Sequence, residues 1–317
     1  MNLNPASQFP DEQSETGEFK RQDDAFRDWV KRDGSTPYRP EPGRYHLYVS
    51  LACPWAHRTI IMRQLKGLEQ TIGMTVVDPI RDERGWAFRT GPGHSEDPIN
   101  GFQFLSESYR ATDPNYRGRV TVPVLWDKQT KRIVTNSDDD LLRMFNREFS
   151  DFAKNDYDFY PPDLQEEIEA MNHLVYQRVN NGVYRAGFAT RQRPYERAAT
   201  RLFETLDQLE SRLASQRYLL GARMTEADLR LFPTLIRFDA VYHGHFKCNL
   251  RRIIDYPNLW PYLRDLYQHD QIAETVNFDH IKRHYYMTHD EINPTRIVPI
   301  GPVLDLSQPH GRIRPAA

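Results

Sequence analysis

The spacing of apolar positions changes about halfway along the chain, and this change predicts two domains of different class. In the first half, apolar residues occur in short runs rich in β-branched and aromatic side chains, at residues 45–49, 74–77 and 121–126. Such runs are typical of buried strands. A fourth run at residues 132–134 predicts a hairpin with the third, across a turn at residues 127–131.

The second half of the chain is predicted to be helical. After a Pro-rich linker at residues 160–163, a 3.6-residue apolar period extends over residues 163–181, 194–214 and 225–242. Thr225 and Asp228 have the spacing of a capping box at the start of the third helix. Strands and helices alternate only before the linker. The pattern therefore predicts a thioredoxin-type α/β layer followed by an all-helical domain.

Cys53 lies where the first predicted strand gives way to the first predicted helix, which opens directly after it and continues over residues 57–66. Pro54 suits the first helical turn, so we expect Cys53 at or next to the N-cap. There the helix dipole and unpaired N–H groups favour the thiolate, lowering the thiol pKa below its ordinary value of about 8.5. Ala56 occupies the place of a second cysteine in dithiol oxidoreductases. A mixed disulfide at Cys53 would therefore need an external thiol.

The alternative interpretation is that Cys53 is a buried apolar cysteine. The strand, cysteine, proline and helix order favours a presented thiol instead. The chain has only one other cysteine, Cys248, which has no helix-start signal and is interpreted as structural. Two cysteines so far apart argue against a disulfide framework and suit a reducing compartment.

Composition limits the possible partners. The 317 residues carry a net charge of −2, so no overall field would recruit nucleic acid. No apolar run approaches the ~18 residues of a membrane span, and the polar N-terminus lacks a signal-peptide core. We therefore expect a cytoplasmic protein. His243 and His245 lack ligand spacing with carboxylates or cysteines, and no metal site is predicted.

We expect four segments along the chain, with a long insertion inside the second of them. This irregular insertion covers residues 78–119 and contains Trp86, and loops of this length are uncommon unless they serve a site. The first 40 residues are polar and are interpreted as an extension lying over a domain surface. The predicted boundaries are an N-terminal extension at 1–40, the α/β domain at 41–159, the helical domain at 160–290 and a tail at 291–317.

Four longer motifs resemble those of the glutathionyl-hydroquinone reductases, the Xi class of glutathione transferases. The motifs are YHLYVSLACPWAHRT at residues 45–59, GRVTVPVLWD at 118–127, NNGVYRAGFA at 180–189 and ETVNFDHI at 274–281. The resemblance covers nearly all of the chain after about residue 20. It implies a thioredoxin-like domain followed by the helical domain of glutathione transferases, a homodimer, glutathione as the thiol, and S-glutathionyl hydroquinones as substrates.

The resemblance also implies roles for individual residues. Cys53 is the expected nucleophile, and Pro123 matches a cis proline that exposes the backbone of Val122 to the peptide of the thiol. Trp86 and Arg119 match positions that line the glutathione site. Tyr184 and Tyr285 match positions that face the aromatic substrate.

The start of the helix after the hairpin departs from the family pattern. Family members usually have Glu-Ser there, which bind the ammonium and carboxylate of the γ-glutamyl group, whereas this chain has Ser137 and Asp138. Ser137 lacks the countercharge, and Asp138 would set a carboxylate against that of the ligand. A related thiol, such as γ-glutamylcysteine or a sugar-based thiol, is therefore a hypothesis. The alternative is that Asp139 or a shifted loop restores the contact.

The inferred reaction is a reductive thiol transfer. Cys53 attacks the sulfur of an aryl thioether, the hydroquinone leaves, and a second thiol resolves the mixed disulfide. Tyr184 and Tyr285 are candidates for binding the phenolic oxygens and assisting protonation of the ring.

Each of these residues also has a structural interpretation. Tyr184 could fill the core, Tyr285 could be a surface aromatic, and Trp86 could brace its loop. Arg119 could be an ordinary solvated arginine. Two other functions stay open, a general monothiol oxidoreductase reducing mixed disulfides or dehydroascorbate, and a non-catalytic binding protein on the same fold.

Overall fold

Four short strands form one sheet in the computed structural model, which describes residues 12–269 and 271–312. The strands are β1 (Tyr45–Val49), β2 (Gly73–Val76), β3 (Val124–Asp127) and β4 (Arg132–Thr135). Their order is β2-β1-β3-β4, with β1 and β2 parallel and the other two pairs antiparallel. A parallel pair needs a crossover connection, and α1 (Pro54–Leu65) provides it. The predicted α/β layer is therefore confirmed.

The insertion between β2 and β3 contains a helix that the sequence did not predict, α2 (Ser106–Thr112). The expectation of a wholly irregular insertion was wrong. Glu107 marks the helix start, because its carboxylate accepts hydrogen bonds from the N–H groups of Gln103 and Phe104 at 2.9 and 2.8 Å. A carboxylate in this position favours the first helical turn.

The hairpin begins at Val124, three residues later than predicted. Pro123 has no N–H to donate to a strand ladder, so the pairing cannot continue through it. At the opposite end of β3, Asp127 accepts two hydrogen bonds from Arg44, at 2.9 and 2.8 Å. This ion pair is buried, and Asp127 is also the register partner of Tyr45, the residue after Arg44. Bidentate geometry of this kind adds positional specificity.

After β4 the chain is helical. The helices are α3 (Asp138–Arg143), α4 (Gln165–Val175), α5 (Asn181–Gly187), α6 (Gln192–Leu213), α7 (Glu226–Arg237), α8 (Leu259–Gln268) and α9 (Phe278–Thr288). Thr225 caps α7 in a capping box with Asp228, as predicted. The sequence pattern did not predict α5, α8 and α9 as separate helices.

The chain groups into two units. The sheet unit comprises residues 23–158 and 271–284, and the helical unit comprises residues 12–22, 159–269 and 285–312. Within the sheet unit, the N-terminal segment runs beside β4, where Asp28 donates its N–H to Val134 O at 3.0 Å. The backbone of this segment therefore occupies part of a strand edge that would otherwise be open. None of the helices in the described ranges is long and apolar enough to cross a membrane.

Stability of the sheet unit should depend on pH through His46. His46 is buried in β1, contacts Thr75 Oγ1 through Nε2 at 2.7 Å, and lies opposite Gly73, where a Cβ atom would stand 2.6 Å from the ring. Burial lowers the pKa of His46 to about 4. Because the unfolded chain binds this proton near pH 6.5, the contribution of His46 to stability is present above that pH and is lost as pH falls towards 4.

We expect the free energy of unfolding to fall between pH 7 and pH 5, with about 2 kcal/mol of the fall due to His46. In His46→Gln the fall should be smaller by that amount, as measured by urea titration at the two pH values. Exposed His173 on α4 offers a matched control, His173→Gln. Equal pH dependence in wild type and His46→Gln would contradict the assignment.

Candidate functional site

Cys53 lies at the N-cap of α1, directly after the loop that follows β1. Its carbonyl accepts the N–H of His57 at 3.0 Å, and Pro54 is the first helical residue. The side chain is partly exposed, and Sγ donates to Val122 O at 3.6 Å. The predicted position at the helix start is confirmed.

The loop opposite the thiol is held by the helix that the sequence missed. The hydroxyl of Tyr109 on α2 donates to Thr121 O at 2.9 Å and accepts the Thr121 N–H at 3.1 Å. The next residues, Val122 and Pro123, are buried and joined by a cis peptide bond, as the resemblance implied. Tyr109 thus fixes the segment whose carbonyl meets the cysteine.

Arg119 and Trp86 lie in the insertion of the sheet unit. Arg119 is partly exposed, and its carbonyl accepts a hydrogen bond from the Tyr116 hydroxyl at 2.6 Å. Trp86 is buried and stacks on His284 with ring centroids 5.0 Å apart. His284 Nδ1 is 2.7 Å from Pro79 O. The indole therefore packs against α9 and not only within its own loop.

Ser137 and Asp138 begin α3. Ser137 Oγ accepts the N–H of Asp140 at 3.3 Å, so Ser137 is the N-cap. Asp138 Oδ2 accepts a hydrogen bond from Arg58 at 2.7 Å, and both side chains are largely buried. Asp139 lies farther from the same guanidinium, at 3.7 Å. Asp138 therefore forms an ion pair with Arg58, which the sequence pattern did not single out.

His57 has a structural environment. The ring is fully buried, and Nε2 lies 2.8 Å from the hydroxyl of Thr275. That hydroxyl donates to Ile272 O at 2.6 Å, so it accepts from His57 and the proton is assigned to Nε2. His57 links α1 to the segment before α9.

The structure brings Tyr184 and Tyr285 together within the helical unit, with their hydroxyl oxygens 2.6 Å apart. Both rings are buried, so the interpretation of Tyr285 as a surface aromatic was wrong. Tyr242, which the sequence did not identify, lies 2.9 Å from the Tyr285 hydroxyl. Burial raises the pKa of Tyr242 and of Tyr285 well above the usual value. These two phenols remain neutral hydrogen-bond donors at ordinary pH.

Cys248 is buried and its sulfur lies 3.8 Å from Phe246 O. Burial raises the pKa of this thiol far above its ordinary value, so it stays protonated. Cys53 and Cys248 are not joined in a disulfide. The environment of Cys248 agrees with the structural interpretation.

Two protein-family models each match a part of the chain. Residues 52–147 match the glutathione S-transferase N-terminal domain, and residues 192–265 match the glutathione S-transferase C-terminal domain. The first match contains Cys53 and both residues that begin α3.

Full-length relatives and solved structures agree with this. The chain is 52% identical to the glutathionyl-hydroquinone reductase YqjG of Escherichia coli K-12, over 95% of this chain and 94% of that protein. It is 50% identical to the glutathionyl-hydroquinone reductase PcpF of Sphingobium chlorophenolicum, over 93% of each.

Among solved structures, the Xi-class glutathione transferase of Natrialba magadii has a TM-score of 0.89 at 52% identity, covering 90% of this chain and 88% of that one. The glutathione-bound structure of Escherichia coli YqjG has a TM-score of 0.88 at 53% identity, covering 91% and 96%. The chain therefore belongs to the glutathione S-transferase family, and within it to the Xi-class glutathionyl-hydroquinone reductases.

Proposed function

We propose that the protein is a reductase that uses glutathione to reduce S-glutathionyl hydroquinones. The observation that carries the proposal is a partly exposed Cys53 at a helix N-cap, while the second cysteine, Cys248, is buried with a raised pKa. Such an arrangement supports a single nucleophile resolved by an outside thiol. Relatives about half identical over nearly the whole chain carry the name of this reductase.

The reaction balances as the cleavage of a thioether followed by a thiol–disulfide exchange. The Cys53 thiolate attacks the thioether sulfur, the bond from sulfur to the ring carbon breaks, and that carbon takes a proton. Hydroquinone leaves, and Cys53 is joined to glutathione in a mixed disulfide. A second glutathione thiolate attacks this disulfide, which releases glutathione disulfide and restores the Cys53 thiolate. The thiols are oxidised by two electrons and the ring carbon is reduced by two.

We assign the thiol to the sheet unit. Val122, before Pro123, would pair its backbone with the peptide of glutathione. The side chains that would surround the remainder of the thiol belong to the insertion and to the start of α3, namely Trp86, Arg119, Ser137 and Asp138. Tyr184 and Tyr285 would bind the phenolic oxygens of the hydroquinone and assist the proton transfer to its ring.

We further infer a homodimer that acts in the cytoplasm on small aromatic thiol conjugates. The match to the glutathione S-transferase domains supports small-molecule conjugates as the partners. A net charge of −2 gives no electrostatic reason to expect nucleic acid as a partner. The boundaries of the four segments remain the prediction made from sequence.

A general monothiol oxidoreductase would use the same cysteine on mixed disulfides, where no ring carbon needs a proton. The paired hydroxyls of Tyr184 and Tyr285 favour the thioether substrate, since they can bind the phenolic oxygens of a hydroquinone ring and assist its protonation. We expect kcat/KM for 2-(S-glutathionyl)hydroquinone to exceed that for a glutathione mixed disulfide in a steady-state comparison. The reverse order would favour the general oxidoreductase.

Replacing Cys53 with Ser should abolish the reductase activity, by about 10³-fold or more, because the hydroxyl is a far weaker nucleophile than the thiolate. Cys248→Ala is the matched control and should retain turnover of 2-(S-glutathionyl)hydroquinone. Unchanged function in Cys53→Ser would contradict both enzymatic hypotheses and favour a non-catalytic binding protein.

Replacing Asp138 with Ser should lower KM for glutathione by about tenfold, because Arg58 would then be available to the γ-glutamyl carboxylate. The variant should also lose about 3 kcal/mol of stability, since it removes one partner of a largely buried ion pair. Initial rates at varied glutathione and a urea titration measure the two effects.

Asp139→Ser is the control for this change, because that carboxylate is more exposed and farther from Arg58. Equal KM values in the two variants would contradict the role of Asp138. Wild-type turnover should be fastest with glutathione in a panel that includes γ-glutamylcysteine and a sugar-based thiol. A clear preference for another thiol would overturn glutathione as the co-substrate.

A further inference from the structure

Residues 12–22 belong to the helical unit, although the sheet unit separates them from the rest of it in sequence. We call residues 12–22 the docked segment. Gln13 donates to Phe188 O at 3.0 Å, and Gly17 O accepts the Thr190 N–H at 3.3 Å. Phe19 is buried, with its ring centroid 5.5 Å from that of Phe188. The segment is therefore attached by its backbone and by an apolar side chain.

Internal contacts fix the shape of the docked segment. Lys20 donates its N–H to Glu12 O at 2.6 Å, and Glu12 Oε1 accepts the Gln22 N–H at 3.1 Å. Gly17 turns the chain with φ of +82°, and a Cβ atom there would stand 2.8 Å from Thr190 Oγ1. The turn therefore requires glycine both for its backbone conformation and for space.

The docked segment places a cation over one of the two site tyrosines. The Arg21 guanidinium carbon lies 5.0 Å from the centroid of the Tyr184 ring. Arg21 Nε donates to Oδ1 of Asn181 at 3.0 Å, and Asn181 is buried at the start of α5. The guanidinium carbon also lies 5.6 Å from the centroid of the Phe19 ring, so the hydrogen bond and both ring contacts help to hold the guanidinium in place.

A cation over an aromatic face is attracted by the electron density of the ring. When the phenol gives up its proton, the ring gains negative charge and the attraction grows. The neighbouring Tyr285 hydroxyl, 2.6 Å away, can donate a hydrogen bond to the same oxygen, and Tyr242 can donate to Tyr285 in turn. Arg21 and these hydroxyls would therefore stabilise the same transient charge from different sides.

We propose that Arg21 is a positioning residue that acts through Tyr184, stabilising the phenolate formed when this tyrosine donates its proton to the ring carbon of the substrate. The inference rests on the proposed function. In this step the tyrosine O–H bond breaks and the ring C–H bond forms while the carbon–sulfur electron pair moves to the ring. Solvent then returns a proton to Tyr184, and no additional reagent is consumed.

The test compares Arg21→Met and Arg21→Lys with wild type on two substrates. With 2-(S-glutathionyl)hydroquinone, Arg21→Met should lose about three- to tenfold in kcat, with KM nearly unchanged, because a partly exposed cation over a ring contributes on this scale. Arg21→Lys should recover most of the loss. With bis(2-hydroxyethyl) disulfide and glutathione, where no ring carbon is protonated, all three proteins should be equally active.

Exposed Arg193 on α6 supplies the matched control, Arg193→Met, which should behave as wild type. Equal losses on both substrates, or an Arg21→Lys variant as impaired as Arg21→Met, would show a purely structural role and overturn the inference. Unchanged thioether turnover in Arg21→Met would also overturn it and leave the proposed function intact. Wild-type protein that reduces the disulfide but not the thioether would overturn both.

Discussion

The constraint on which the candidate chemistry depends is the position of Cys53 Sγ against the backbone of Val122, 3.6 Å from its carbonyl oxygen. The positions of both atoms depend on the backbone and not on side-chain packing alone. The sulfur is placed by the connection from β1 to α1, and the carbonyl by the buried peptide before Pro123. Because the flanking strands β1 and β3 pair in one register, backbone hydrogen bonds hold both sides of the contact. A nucleophile that backbone hydrogen bonds position in this way needs few specialised side chains around it.

The second constraint is the pairing of opposite charges at the start of α3. Arg58 follows Cys53 on α1 and pairs with Asp138, the first residue of α3. Removing a buried charge from water costs several kcal/mol unless a partner compensates it. The pair therefore joins α1 to the start of α3. The sequence pattern showed Asp138 only as an uncompensated carboxylate, whereas in the structure it is half of an ion pair.

Much of the local structure could be predicted from the sequence, and the errors have physical causes. The capping box at Thr225 and the N-cap positions of Cys53 and Ser137 follow from a few adjacent residues. The helix α2 was missed because its start depends on the Glu107 carboxylate bonding to backbone N–H groups within a polar segment. The apolar period alone carries no signal for such a start. The hairpin was predicted too long, because its apolar run continues across Pro123 while the hydrogen bonding does not.

By itself the sequence determined a strand, a cysteine, a proline and a helix in that order, and hence a thiol at a helix start. These features are local, since each depends on the backbone conformation of neighbouring residues. Only the tertiary structure decided which groups meet across the chain. The partners of Cys53, Arg58 and Tyr184 lie 69, 80 and 101 residues away in sequence. Periodicity shows which face of a helix is buried, but only the packing of whole elements selects the residue that it meets.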